Sequence, residues 1–241
     1  MSQDHQLNIK TFNFNSFREN CYVLWDGRGN CVFVDPGCYW PEELAKLKEL
    51  VKTERLTPKA IWLTHGHFDH VHGVLRIVQE YSVPVLMSPE DKMILDNNPA
   101  AVREFGLVAH DSSEIKTVDI RDGEVLDTLE GSPFRVITTP GHTPGGVCYY
   151  DETDKVLLTG DTLFAGAIGR SDLIGGDYDH LIISIMDKLM GLPGDVDVLP
   201  GHGRKTTIAD ERTHNPFLQP FNEPEEDLDW DGEGIEIEGE K

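Results

Sequence analysis

Residues 60–73 read AIWLTHGHFDHVHG. An apolar run, Ala60-Ile61-Trp62-Leu63, leads straight into a segment that holds four histidines and one aspartate. Four apolar residues bounded by polar ones describe a buried strand. Titratable groups just beyond such a strand sit where a rigid scaffold presents side chains to a cleft. His65 and His67 are two apart, so an extended backbone aims both imidazoles the same way. Gly66 permits a tight path between them. Asp69 and His70 follow at the expected start of a helix. Imidazole nitrogen and carboxylate oxygen, without thiolate, are donors suited to zinc, iron or manganese.

The same local design recurs downstream. His142 stands in TTPGHTPGG, Asp161 in LLTGDTLF and His202 in VLPGHGR. Each time an apolar run precedes a glycine and then a titratable side chain, which predicts a polar donor at the rim of a sheet. The candidates are therefore His65, His67, Asp69, His70, His142, Asp161 and His202. Structural zinc prefers closed, thiolate-rich tetrahedra. A set without cysteine reads instead as an open, catalytic site.

Working outward, short β-branched runs alternate with helical stretches. Strands are predicted over 7–14, 21–25, 31–34, 60–64, 83–87, 116–120, 124–128, 134–138, 147–150, 156–158 and 196–199. Helices are predicted over 41–54, 70–81, near 89–96, over 177–190 and over 208–214. Leu44, Leu47, Leu50 and Val51 mark the inner face of the first. Residues 98–116 read as a loop or an insertion. Each half has its own strands and helices, which predicts two sheets sandwiched between helices.

The chain has 241 residues and a net charge of −22, with 39% hydrophobic and 27% charged residues. Its length suits one large domain. The segment from Phe221 to Lys241 holds ten acidic residues and one basic residue, and it reads as a solvated acidic tail behind a domain spanning 1–220. Acidity over the rest of the chain argues against nucleic acid as a partner. No apolar run reaches the length of a bilayer span, and no secretory signal is visible at MSQDHQLNIK. The expectation is a cytoplasmic protein that meets no membrane. Cys21, Cys31, Cys38 and Cys148 form no metal pair and read as reduced, buried thiols.

The order HxHxDH at 65–70, GHT at 141–143, GDT at 160–162 and GH at 201–202 resembles the metallo-β-lactamase superfamily. ENCYVL at 19–24, VDPG at 34–37, GDTLF at 160–164 and GRSD at 169–172 resemble its glyoxalase II-like hydrolases. The resemblance implies an α/β fold, a four-layer αββα sandwich, with two divalent metal ions, zinc first and iron or manganese as alternatives. It assigns His65, His67 and His142 to one metal, and Asp69, His70 and His202 to the other, with Asp161 bridging. It implies hydrolysis of a small-molecule thioester of the S-2-hydroxyacylglutathione kind by a hydroxide shared between the metals, with Asp69 and Asp161 as catalytic carboxylates. In glyoxalase II proper a lysine near this point helps to bind glutathione; here Arg170 stands at roughly that place, and an arginine suits a carboxylate. Glyoxalase II proper also carries a basic helical extension. This chain offers RTHNPFLQ and the acidic tail instead, so the thiol partner is left open. The competing reading within the superfamily is a mononuclear Fe(II) persulfide dioxygenase.

Of the remaining candidates, Asp35 in VDPG reads either as orienting a ligand histidine or as shaping the turn before Pro36. His72 falls where a helix turns it away from the set. His5, His110, His180 and His214 belong to no pattern and are expected in solvent. Asp172 reads as a turn residue or as a cap for later structure.

Overall fold

The structure, a computed structural model, describes residues 6–108 and 112–219. His5, His110 and the acidic segment 221–241 lie outside the described residues. Two six-stranded sheets form the centre. The first runs in chain order through β1 (Asn8–Phe14), β2 (Glu19–Trp25), β3 (Asn30–Val34), β4 (Thr57–Trp62), β5 (Val85–Met87) and β6 (Thr117–Asp119). The second contains β7 (Val125–Leu129), β8 (Ser132–Thr138), β9 (Val147–Asp151) and β10 (Val156–Gly160). After a small hairpin of β11 (Leu163–Phe164) and β12 (Ala167–Ile168), it is completed by β13 (Asp197–Pro200) and β14 (Thr206–Thr207). Its order across the sheet is β14-β13-β10-β9-β8-β7.

The period of two along each strand sets the layers. In β2 and β3, Tyr22, Leu24, Val32 and Val34 face the second sheet, while Cys21, Val23, Cys31 and Phe33 face away from it. Trp62 packs between Phe134 and Tyr149, at 5.2 and 5.3 Å between ring centroids, and closes the seam between the sheets. Burying each such side chain is worth about 1.5–3 kcal/mol. The outer face of the first sheet is covered by helices α1 (Pro41–Thr53) and, beyond the short α2 (Phe68–Val71), α3 (Val74–Tyr81), through Leu47, Val51 and Ile77. After α4 (Lys92–Glu104), helices α5 (Tyr178–Ser184) and α6 (Ile208–His214) cover the second sheet through Leu181 and Ile208. Helix, sheet, sheet, helix is the expected four-layer sandwich.

Three predicted elements differ. The stretch 70–81 is two helices, broken at Gly73. A Cβ on Gly73 would lie 2.2 Å from Cys38 Sγ, and its N–H donates to the Pro36 carbonyl at 2.8 Å. Residues 98–104, part of the stretch that reads as a loop or an insertion, continue helix α4 through Pro99. Proline cannot donate to the carbonyl four residues back; the Ser112 hydroxyl donates to that Leu95 carbonyl instead, at 2.6 Å. The stretch 177–190 is helical but changes to a π-turn over Ile185–Leu189. Among the described residues, no helix is long and apolar enough to cross a membrane.

Candidate metal centre

β3 and β4 are parallel, as are β10 and β13, and the loops beyond their carboxyl ends meet at one end of the sandwich. Ligand sites in α/β sheets favour that edge. Gly160 makes the meeting possible: it has φ of +48°, and a Cβ there would lie 2.2 Å from Thr64 Oγ1. This close approach brings Asp161 beside the His65 loop.

All seven sequence candidates come together. His67 Nδ1 and His142 Nε2 are 2.9 Å apart, and the rings of His65 and His142 are centred 4.9 Å apart. His202 Nε2 lies 3.3 Å from Asp69 Oδ2, and His70 Nε2 lies 3.8 Å from the same oxygen. Asp161 faces both groups: Oδ1 is 3.4 Å from His70 Nε2, and Oδ2 is 3.6 Å from both His142 Nε2 and His202 Nε2. Three triads that could hold a metal ion result, each with donor atoms inside 4.8 Å: His65-His67-His142, Asp69-His70-His202 and Asp35-His65-His70.

The backs of the imidazoles decide which nitrogen points inward. His70 Nδ1 donates to Asp35 Oδ2 at 3.1 Å, His142 Nδ1 to the Arg170 carbonyl at 2.6 Å, and His202 Nδ1 to the Phe17 carbonyl at 3.2 Å. Thr64 Oγ1 gives its single proton to Asp35 Oδ2 at 2.6 Å, so it accepts from His65 Nδ1 at 3.0 Å. In each case Nδ1 carries the proton, which leaves the Nε2 lone pair for the interior. Asp35 therefore does orient a histidine of the set, and its φ of +47° shapes the turn before Pro36 as well.

The interior itself is unsatisfied. Among the described residues, His65 Nε2, His70 Nε2 and Asp161 Oδ1 are buried without a hydrogen-bond partner. Orphaned polar atoms cost free energy, and three converging on one volume fit a bound cation. Titration agrees with that chemistry. Burial, with the His70 charge beside it, holds His65 well below the usual imidazole range. Burial and His142 bring His67 down to about 4. Burial alone would raise Asp161, but His70 and His142 outweigh it and keep the carboxyl well below its ordinary value. The three-histidine side thus offers His65 and His67 as neutral imidazoles beside an ionised carboxylate; on the other side burial would lower His70 and His202, but Asp161 and Asp69 outweigh it and raise both. Glu19, buried behind it, goes the other way: burial pushes it well above the carboxylate range.

The ENCY stretch has a mechanical role. Asn20 N–H donates to the Gly201 carbonyl at 2.7 Å, and its side-chain amide donates to the Pro200 and Gly203 carbonyls, both at 2.9 Å. Tyr22 donates to the Pro200 carbonyl at 2.7 Å. These bonds cross between the sheets and fix the loop of His202.

Other candidates lie apart. His72 is buried against Tyr39 and Phe68, with ring centroids at 4.8 and 5.5 Å. His180 and His214 are exposed. The Arg170 guanidinium is exposed and holds Asp172 at 2.9 and 3.0 Å, so its carbonyl, not its charge, touches the set. Thr64, Asp91 and the Phe17 carbonyl escaped the sequence reading. None carries a spacing signal, since each acts through a contact distant in sequence.

The family model of the metallo-beta-lactamase superfamily matches residues 16–202. Hydroxyacylglutathione hydrolase GloC of Haemophilus influenzae is 38% identical over 213 residues, which cover 88% of this chain and 98% of that protein. A crystal structure of TTHA1623 in a di-iron-bound form is 37% identical, with a TM-score of 0.78, covering 87% of this chain and all of that one. That of BLEG-1, a B3 metallo-beta-lactamase, is 37% identical with a TM-score of 0.75, covering 88% of this chain and 99% of that one.

Proposed function

The chain belongs to the metallo-β-lactamase superfamily of metallo-hydrolases, and on that premise we propose that it hydrolyses small acyl thioesters with two divalent cations. The observation that carries this reading is the pair of triads facing one orphaned carboxylate, Asp161. A single iron would use one triad and leave the other without purpose. The kinship to GloC, whose name gives hydroxyacylglutathione hydrolysis, supports a thioester as substrate.

His65, His67 and His142 would hold one cation; Asp69, His70 and His202 would hold the second, with Asp161 shared. Zinc suits the donor set, and the di-iron form of TTHA1623 keeps iron in contention. Such a pair supplies an acidified water and an electrophilic anchor for the thioester carbonyl. The chain's own groups do the rest. Asp161 Oδ2, held ionised, accepts a hydrogen bond from the attacking water and fixes its direction. Asp69 Oδ2 stands ready to take the water's proton. Arg170, released from Asp172, is positioned for a carboxylate on the substrate. Water adds to the carbonyl carbon, the carbon–sulfur bond breaks, and the thiolate leaves with that proton as the thiol.

Metal analysis of natively purified protein, paired with thioester and persulfide assays, tests this reading. Two metals per chain and thioester hydrolysis without oxygen, abolished by a chelator, are expected. One iron per chain, with oxygen uptake on a persulfide, would overturn it.

A further inference from the structure

Helix α4 contributes none of the seven donors, yet its amino end reaches both loops of the three-histidine triad. Asp91, the residue before α4, is fully buried. Its Oδ2 accepts from the Gly66 N–H and from Thr143 Oγ1, both at 2.8 Å, and its Oδ1 accepts from the Gly145 N–H at 2.6 Å. Two turns along the helix, Asn98 Nδ2 donates to the Gly66 carbonyl at 2.7 Å. Gly66, between His65 and His67, is therefore gripped at both its N–H and its carbonyl by one face of α4. Thr143 and Gly145 directly follow the other partner, His142.

We propose that Asp91 is a positioning residue: it sets the separation between the His65–His67 loop and His142, and with it the cation affinity of that triad alone. The second triad is fastened by different groups, His70 by Asp35 and His202 by Phe17 and the Asn20 clamp. A zinc–nitrogen bond is about 2.0–2.1 Å long, so displacement of either loop by a fraction of an ångström is felt as lost affinity. Losing an outer partner of a metal ligand costs about ten- to a hundredfold in metal affinity. A tie of merely structural value would affect both triads alike. The inference rests on the metal-binding part of the proposed function and is independent of the substrate.

The test is zinc competition between full-length, metal-stripped protein and a chromophoric chelator. Wild type is expected to bind two zinc ions. Asp91→Asn keeps the volume but turns an NH2 toward N–H or O–H donors, so one zinc should weaken about ten- to a hundredfold while the other stays within about twofold. Thr143→Val, which removes one of three donors, should weaken the same zinc by a smaller factor. It decides alone if the first variant does not fold. His142→Ala identifies the affected triad: combined with it, Asp91→Asn should add nothing further at that site. Equal weakening of both zinc ions, or of neither, overturns the inference. A wild type that binds no zinc pair brings down the metal reading itself, and this inference falls with it.

Discussion

Asp26 and Asp161 stand at opposite ends of the sandwich, each directly after a central strand, and both are held below the ordinary carboxylate range. Their surroundings differ completely. Asp26 accepts from the Arg28 and Asn30 N–H groups, from Asn30 Nδ2 and from the Glu130 N–H, at 2.8–3.0 Å. These donors outweigh a burial that would raise it, and the last of them ties the β2–β3 turn to the β7–β8 turn of the other sheet. Asp161 meets imidazoles at 3.4–3.6 Å, and its Oδ1 has no hydrogen-bond partner among the described residues. A satisfied buried carboxylate belongs to the scaffold, while an unsatisfied one implies something still to be bound.

The largest expected effect follows from that contrast. Asp161→Ala should lower kcat by about a thousandfold or more, since metal-assisted activation of water is at stake, and should reduce bound metal. The metal-stripped protein should also lose stability at pH 7, because the His70 and His142 imidazoles that hold the Asp161 carboxyl well below its ordinary value lose their partner. Metal analysis, steady-state kinetics and denaturant unfolding of the apo form check the three parts. Full activity in the variant would remove Asp161 from the reaction.

Asp26→Asn should show the converse. Four donors converge on that carboxylate, so the change should cost about 2 kcal/mol of stability at pH 7 and leave kcat/KM within about twofold. The sign of the pH dependence follows from linkage. A carboxyl whose folded pKa lies below its unfolded value, about 3.9, stabilises the protein above that pH. The contribution fades as pH falls through the lower folded value. Unfolding curves of wild type and variant should therefore begin to converge as pH falls below about 4. A gap as wide at pH 3 as at pH 7 would mean that packing, not charge, makes Asp26 valuable.

The same contrast explains what could be read from sequence. The donor set was legible because four members crowd into HGHFDH behind an apolar run, and His142, Asp161 and His202 each follow a glycine, patterns that survive in one dimension. The sheets were legible through alternation, as with Tyr22 and Leu24 against Cys21 and Val23. The fastening groups were not. Asp91 and Thr143 are 52 residues apart, and Asn20 reaches Pro200 across 180. The full length of helix α4 was not legible, because Pro99 interrupts its ladder and the Ser112 hydroxyl that compensates for it lies beyond the helix. Gly73 broke a helix for a reason visible only in three dimensions, the nearness of Cys38.

Arg170 gives the smallest effect and the sharpest separation of backbone from side chain. Its carbonyl receives the His142 Nδ1 proton, which any residue at that position provides. Its guanidinium is exposed and paired with Asp172, and such surface pairs are worth about 0–1 kcal/mol. Arg170→Ala should therefore leave metal content and kcat unchanged. If the guanidinium leaves Asp172 for a substrate carboxylate, KM should rise about threefold to tenfold for a carboxylate-bearing thioester and stay constant for a neutral one. An equal rise for both substrates would assign Arg170 to loop shape instead. A fall in metal content would show that the side chain, and not only the carbonyl, holds His142 in place.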